Sequence, residues 1–273
     1  MKDLNGKNVV ITGGSYGIGV EMARAFLHEG ANVFTIARNK EKLDASVDGL
    51  SGHAQLGRKV KGFPCDVTDR DGIKSTIDQI AAEFGGIDVL VNNAGIVIPG
   101  YFEELLLDDF EAVIKTDYLG SVYATKAALP HLLKNKKSAV TFTSSVAGIK
   151  GVFGYSTYSP AKFAVIGLAE TIRQELKPKG VQVTVLLPPD TDTPGFEEEK
   201  KVRPKETDVI AGSAGLAPPS EVATAFVEGF KKGKFLVNPS FDGKLLFRIR
   251  SISPWFTDFY FDMMVKKGRK AKG

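Results

Sequence analysis

Tyr158 and Lys162 stand four residues apart in Tyr-Ser-Pro-Ala-Lys, a spacing that puts both side chains on one face of a helix, one turn apart. A tyrosine ordinarily titrates at about 10 and is a poor acid–base at neutrality, but an adjacent ammonium favours the phenolate and draws the group toward the working range. So placed, the tyrosine can give a proton to a carbonyl oxygen as hydride reaches the carbon. Ser145 lies 13 residues earlier, just past an expected strand, where its hydroxyl can hold the same oxygen. On a helix taken alone, Tyr and Lys at this spacing form a surface pair. What selects the catalytic reading is a strand end at Ser144-Ser145 in a chain that also carries a nucleotide-binding turn.

That turn is Thr12-Gly13-Gly14-Ser15-Tyr16-Gly17-Ile18-Gly19. It follows a β-branched run and opens a helical stretch. Its glycines can bring backbone close to a pyrophosphate while the helix N-terminus offers free N–H groups and a positive dipole end. Gly13, Ser15, Tyr16, Gly17, Ile18 and Gly19 are the candidate contacts. The second strand ends at Ala37-Arg38-Asn39, without the acid that an NAD site sets against the ribose hydroxyls. Arg38 can instead grip a 2′-phosphate in bidentate geometry, with Lys42 one turn on in support, which favours NADPH. The bland alternative is that Arg38 is a solvated loop residue. Asp66-Val67, closing the third strand, are placed to meet the adenine, although an Asp after a strand also serves as a helix N-cap, here for a start at Thr68 or Asp69. Asn93-Ala94-Gly95, after the fourth strand, are small enough to pass close to a ribose.

The elements that must position these residues alternate. β-branched runs occupy 8–12, 32–37, 60–64, 88–92, 139–144, 181–187 and 235–238. Helices are expected between them at 18–28, 69–84, 108–134 with a kink at Pro130, and 158–177, where Pro178 stops the last of them. This is the pattern of βαβ units, hence an α/β fold. We expect a doubly wound, Rossmann-type parallel sheet of about seven strands with helices on both faces, in a single domain over 1–243. The stretch 188–219, rich in Pro, Asp, Glu, Thr and Gly, is too long for an ordinary connection and reads as a substrate loop with a short helix or a lid.

Together, Thr-Gly-x-x-x-Gly-x-Gly, Asn-Asn-Ala-Gly, Ser145 and Tyr-x-x-x-Lys resemble the short-chain dehydrogenase/reductase family, over residues 6 to about 240. The resemblance implies that Lys162 also binds the nicotinamide ribose, that Tyr158 is the general acid and that Ser145 orients substrate. It also implies that Thr193 touches the carboxamide, from a segment that offers Pro188 and Thr191 as further contacts. Family members usually begin that segment with Pro-Gly, and Pro189 departs from this. They generally carry Asn, holding a water in a proton relay to the lysine, where this chain has Asp117. Asp has the shape of Asn but only accepts when ionised, so it can still hold the water while adding a negative charge near Lys162. The runs 102–104, 118–123, 154–159, 175–178 and above all 188–199 are similar to the branch of the family that reduces sphingoid-base ketones. That implies NADPH-dependent reduction of the C3 ketone of a long-chain amino-ketone lipid to a secondary alcohol. Two rivals stay open: a family reductase for another ketone, such as a 3-oxoacyl thioester or a steroid, and a nucleotide-binding regulator without chemistry. Intact Ser145, Tyr158 and Lys162 weigh against the second.

Hydrophobic residues make up 43% and charged residues 25% of the chain, an ordinary globular balance. Cys65 is the only cysteine, so no internal disulfide is possible and a reducing, cytoplasmic setting is expected. The opening Met-Lys-Asp-Leu-Asn-Gly reads as no secretory leader. His28, His53 and His131 lack metal-ligand spacing, so no metal site is expected. The net charge of +4 divides unevenly. Residues 244–273 hold eight Lys or Arg against Asp258 and Asp262, a local +6, and the other 243 residues carry −2. A diffuse basic surface for nucleic acid is absent. The tail also carries Trp255, Phe256, Phe259, Tyr260 and Phe261. It reads either as an interfacial segment in peripheral contact with an anionic membrane, the cytosolic face of the endoplasmic reticulum in a eukaryote, or as a packed helix with a frayed basic end. The charge run 197–201 reads as solvated, with the alternative that it meets the substrate's amino group. The family resemblance further implies a homodimer or homotetramer.

Overall fold

The computed structural model describes residues 1–55, 57–212 and 215–270. Residues 213 and 214 of the expected substrate loop and 271–273 of the tail lie outside the described residues.

The strands β1 (Asn8–Thr12), β2 (Asn32–Ala37), β3 (Val60–Pro64), β4 (Val89–Asn92), β5 (Ser138–Thr143), β6 (Val181–Leu186) and β7 (Leu236–Val237) form one sheet in the order β3-β2-β1-β4-β5-β6-β7. Every adjacent pair is parallel. Central strands such as Val9-Val10-Ile11 and Val89-Leu90-Val91 are apolar without alternation and fully buried, as strands covered on both faces must be. Up to β5 the helices are α1 (Gly17–His28), α2 (Lys40–Ser51), α3 (Arg70–Phe84), α4 (Leu107–Val113) and, through a π-helical turn at Ile114–Leu119, α5 (Gly120–Leu132). After it come α6 (Tyr158–Leu176), α7 (Pro194–Lys200), α8 (Lys205–Ala211), α9 (Pro219–Lys231), α10 (Phe241–Ile252) and α11 (Pro254–Lys270).

The two-residue period of the strands divides the core. Val10, Phe34 and Leu90 face α3, α5 and α6, whereas Val9, Val33 and Val89 face α1 and α9. On the second face Phe26 of α1 meets Phe226 and Phe230 of α9 edge-on, with ring centroids 6.2 and 5.9 Å apart. Each ring buried there contributes about 1.5–3 kcal/mol, which fixes α1 and therefore the direction of its N-terminus. The sheet grows outward in one direction from β1 to β3 and in the other from β4 to β7. The reversal between β1 and β4 opens a crevice at their C-terminal ends, where ligands bind in this architecture.

The expected sheet and its helical layers are present, with local differences. The helix at 40–51 was not expected. The stretch 108–134 is interrupted by the π-helical turn, and Pro130 falls in the last turn of α5. The loop 188–219 holds two short helices, α7 and α8. Residues 241–252 and 254–270 are helical, and α11 packs on α8 so closely that a Cβ on Gly268 would sit 2.7 Å from the Cα of Glu206.

Candidate active site

The glycine turn is folded down onto the chain that leaves β4. A Cβ on Gly13, where φ is +69°, would lie 2.8 Å from the Cα of Ala94, and one on Gly19 would lie 2.1 Å from the carbonyl oxygen of Gly13. Only glycine admits this approach. The hydroxyl oxygen of Thr12 accepts from the N–H groups of Asn93 and Ala94 at 3.1 and 3.2 Å, and the Asn93 side chain donates to the Gly13 carbonyl at 3.2 Å. Helix α1 then starts without a side-chain cap at Tyr16 and without an acid in its first turn. Its free N–H groups and dipole face a cavity of about 750 Å³ lined by Gly13, Tyr16, Gly17, Ile18 and Gly19, with Asn93, Ala94 and Gly95 across from them. A dinucleotide pyrophosphate fits this cradle.

Ser15, Arg38, Lys42, Asp66 and Val67 do not line that cavity. Arg38 is mostly exposed and pairs with Asp66 at 3.6 Å. Asp66 accepts from the Thr68 N–H at 2.8 Å, while the cap of α3 is Asp69, which accepts from Gly72 at 3.0 Å. Lys42 lies 5.8 Å from the centre of the Tyr16 ring, which links the start of α2 to the glycine turn. Val67 is buried against Gly120 at the π-helical turn, and serves the core.

Ser145, Tyr158 and Lys162 meet in the cavity. The first turn of α6 is pinned by Thr157, which donates to the Ile98 carbonyl at 2.6 Å, and by Ser144, which donates to the Lys162 carbonyl at 2.8 Å. Lys162 is 3% exposed. Its ammonium donates to the Thr143 carbonyl at 3.1 Å, lies 3.0 Å from Asp117 Oδ2 and is 5.3 Å from the centre of the Tyr158 ring. Asp117, which sits in the π-helical turn, accepts from the Ile96 N–H through Oδ1 at 2.8 Å. The carboxylate thus touches the ammonium directly.

Burial opposes the charge on Lys162 most strongly, but the Asp117 carboxylate and Tyr158 together hold the ammonium above the ordinary lysine value. Burial raises the Asp117 carboxyl in spite of Lys162 and the Ile96 N–H. For Tyr158 the expected direction is corrected. Burial outweighs Lys162 and the hydrogen bond with Ser145, and the charges of Asp117 and Glu199 add to it, so the phenol titrates above its ordinary value. Tyr158 is therefore held as the phenol rather than as a phenolate.

Pro188, Thr191 and Thr193 also line the cavity. Thr193 caps α7, accepting from the Phe196 N–H at 3.2 Å, and a Cβ on Gly17 would lie 3.2 Å from its methyl group, so the loop closes down on the glycine turn. Beyond it the wall is apolar: Ile210 of α8, Leu246 and Ile249 of α10, and Phe256 and Phe261 of α11. Lys150, just after the Ser145 segment, pairs with Asp258 and lies 5.3 Å from the centre of the Phe261 ring, tying α11 over the site. Tyr155, Asp190, Glu199 and Asp242 are among the other lining residues. The sequence offers Tyr155 only within the run 154–159, without a role, and marks the α10 residues only as part of the tail.

The model of the short chain dehydrogenase family matches residues 7–204. The chain is 41% identical to the 3-ketodihydrosphingosine reductase of Dictyostelium discoideum, over 94% of its own length and 81% of that protein's. It is 40% identical to the 3-dehydrosphinganine reductase of Danio rerio, over 89% and 74% of the two chains. Against the 3-oxoacyl-[acyl-carrier-protein] reductase FabG of Thermotoga maritima the identity is 34%, over 81% and 88%. A short chain dehydrogenase/reductase from Burkholderia phymatum, solved in complex with NAD, superposes with a TM-score of 0.82 at 24% identity, over 94% and 97% of the two chains, a likeness of fold.

Proposed function

The chain belongs to the short-chain dehydrogenase family, and on that premise we propose that it reduces the C3 ketone of 3-ketodihydrosphingosine to dihydrosphingosine with NADPH. As a family member it is an oxidoreductase that takes a nicotinamide cofactor. The substrate assignment is carried by one observation: the Ser145–Tyr158–Lys162 constellation and an apolar wall from α10 and α11 line the same cavity, which suits a ketone on a long hydrocarbon chain. The similarity to reductases of the same ketone supports it.

When bound, the nicotinamide supplies the hydride for the ketone carbon. Gly13, Tyr16, Gly17, Ile18 and Gly19 would hold the pyrophosphate, with Ser15 shaping the turn from outside the cavity, and Asn93, Ala94, Gly95, Pro188, Thr191 and Thr193 would hold the nicotinamide half. Asp66, beside Arg38, would stand near the adenine end, while Val67 supports it from the core. Ser145 donates a hydrogen bond to the carbonyl oxygen. Tyr158 gives that oxygen its proton, and the Lys162 ammonium stabilises the phenolate that develops. Asp117 keeps the ammonium charged and fixed. Helices α10 and α11 exclude water from the chain side of the substrate.

Turnover should be highest with 3-ketodihydrosphingosine in a panel that includes a 3-oxoacyl thioester and a steroid ketone. Preference for either of the others would replace the assignment. NADPH is proposed over NADH because Arg38, with Lys42, is available to a 2′-phosphate once its loose pair with Asp66 is exchanged. Arg38→Glu is expected to lower the NADPH-over-NADH ratio of kcat/KM about 10- to 100-fold, the worth of hydrogen bonds to a charged group. An unchanged ratio would make Arg38 a solvated loop residue.

No helix among the described residues is long and apolar enough to cross a membrane. Trp255 and Phe259 are nonetheless exposed on α11. With the basic end of that helix they suit peripheral contact with an anionic surface, from which a lipid substrate would reach the cavity. A homodimer or homotetramer is the assembly we propose.

A further inference from the structure

Beside Tyr158 the cavity is not apolar. Tyr155 meets the Tyr158 ring edge-on at 5.6 Å between centroids and donates its hydroxyl hydrogen to Glu199 Oε1. The Glu199 side chain is 10% exposed and lines the cavity, and its Oε2 accepts no hydrogen bond from the described residues. Asp190 lines the same cavity. Arg203, its side chain 5% exposed, donates to Glu199 Oε1 at 3.4 Å and lies 3.9 Å from Asp190 Oδ2, but its Nε is committed to Asp208 at 2.6 Å. Glu199 and Asp190 thus share one guanidinium that is already engaged by the half-exposed Asp208. Negative charge in excess, with its solvent largely removed, is unfavourable until a cation joins it. Burial accordingly pushes the carboxyls of both Glu199 and Asp190 above the usual range.

The proposed substrate brings such a cation. Its ammonium is on C2, bonded to the C3 that carries the ketone oxygen, so once Tyr158 is against that oxygen the ammonium must lie beside Tyr158 as well. We propose that Glu199, held in place by Tyr155 and Arg203, receives the substrate's ammonium and selects a 2-amino ketone over a ketone of equal length without the amine. Glu199 is chosen over Asp190 because its side chain is the less exposed of the two and because it is linked to Tyr158 through the Tyr155 ring. This inference rests on the function proposed above and adds a specificity residue to it.

The test compares 3-ketodihydrosphingosine with the matched ketone bearing hydrogen in place of the amino group. The unmodified chain should favour the amino ketone in kcat/KM, and Glu199→Gln should reduce that preference about 10- to 100-fold. An unchanged ratio, whatever the absolute rates, would overturn the proposal by giving Glu199 a purely structural part. A binding comparison on the unmodified chain with NADP⁺ covers a variant that fails to fold. Dihydrosphingosine should bind at least tenfold tighter by calorimetry than the same diol without the amine, about 1.4 kcal/mol. Equal affinities would overturn the inference. Turnover of neither ketone would overturn the function proposed above, and the binding comparison would still decide this point.

Discussion

Replacing Tyr158 with Phe is expected to lower ketone reduction by about 10²- to 10⁴-fold, the usual worth of a positioned general acid, while NADPH binding persists. Phe fills the same buried volume and leaves α6 pinned through Thr157 and Ser144. The glycine turn and the N-terminus of α1 are untouched. What is lost is the phenolic hydroxyl that hydrogen-bonds with Ser145, while the ring beside the Lys162 ammonium is kept. Fluorescence titration with NADPH and steady-state turnover separate the two effects. A rate within a few-fold of the unmodified chain would remove Tyr158 from the chemistry. In the unmodified chain the reducing form of Tyr158 is the phenol, and its pKa is held above the ordinary value by burial, with Asp117 and Glu199 adding to the effect. Loss of the Tyr158 proton should therefore slow reduction on the alkaline side, as pH rises through that raised value.

Lys162→Met is expected to destabilise the fold by about 3–5 kcal/mol at neutral pH, because removing one partner of a buried ion pair strands the other. The stranded group is Asp117, 1% exposed and 3.0 Å from the ammonium it would lose. Burial already raises its pKa, and Lys162 is the main influence lowering it, so the variant's folded value climbs further. For an acid whose folded pKa lies above its unfolded one, stability is greatest at low pH. It falls as pH rises from the unfolded value through the folded one, since only the folded state still holds the proton. The deficit of Lys162→Met against the unmodified chain should then be largest at neutral and alkaline pH and shrink on acidification. Adding Asp117→Asn should restore most of the stability without restoring turnover. Urea unfolding at several pH values reads both results. A deficit independent of pH, or no rescue by Asn, would show that the pair is not what Lys162 contributes to the fold.

Much of this arrangement is legible in residue type and spacing. The seven strands fall within about two residues of the apolar runs, since a strand buried on both faces cannot hide its composition. The Tyr158 and Lys162 pair reads from a four-residue spacing, and the glycine turn reads because close backbone approach excludes a Cβ. Helix α2 was not legible, because it buries only Leu43 and Leu50 on an otherwise polar sequence. Nor was the π-helical turn, which answers to tertiary contacts of Asp117 with Ile96 and Lys162 rather than to any local preference. The pKa of Tyr158 went the other way from expectation because spacing reveals the neighbouring ammonium but not the desolvation. The tail reads either as an interfacial segment or as a packed helix with a frayed basic end, and its residue types do not say what it would pack on. In the structure its apolar stripe at Leu246, Ile249, Phe256 and Phe261 lines the active-site cavity, a placement that depends on α8 and on Lys150, over a hundred residues away in the chain.

In the proposed reaction a hydride reaches C3 of a sphingoid ketone in a cavity where Tyr158 supplies the proton. The most direct measurement incubates the chain with 3-ketodihydrosphingosine and NADPH deuterated at the transferable position, then locates the label by mass spectrometry. The expected product is dihydrosphingosine carrying one deuterium on C3, formed in step with cofactor oxidation and nearly abolished in Tyr158→Phe. Cofactor oxidation without label on C3, or no oxidation with this ketone under conditions where another ketone is turned over, would contradict it.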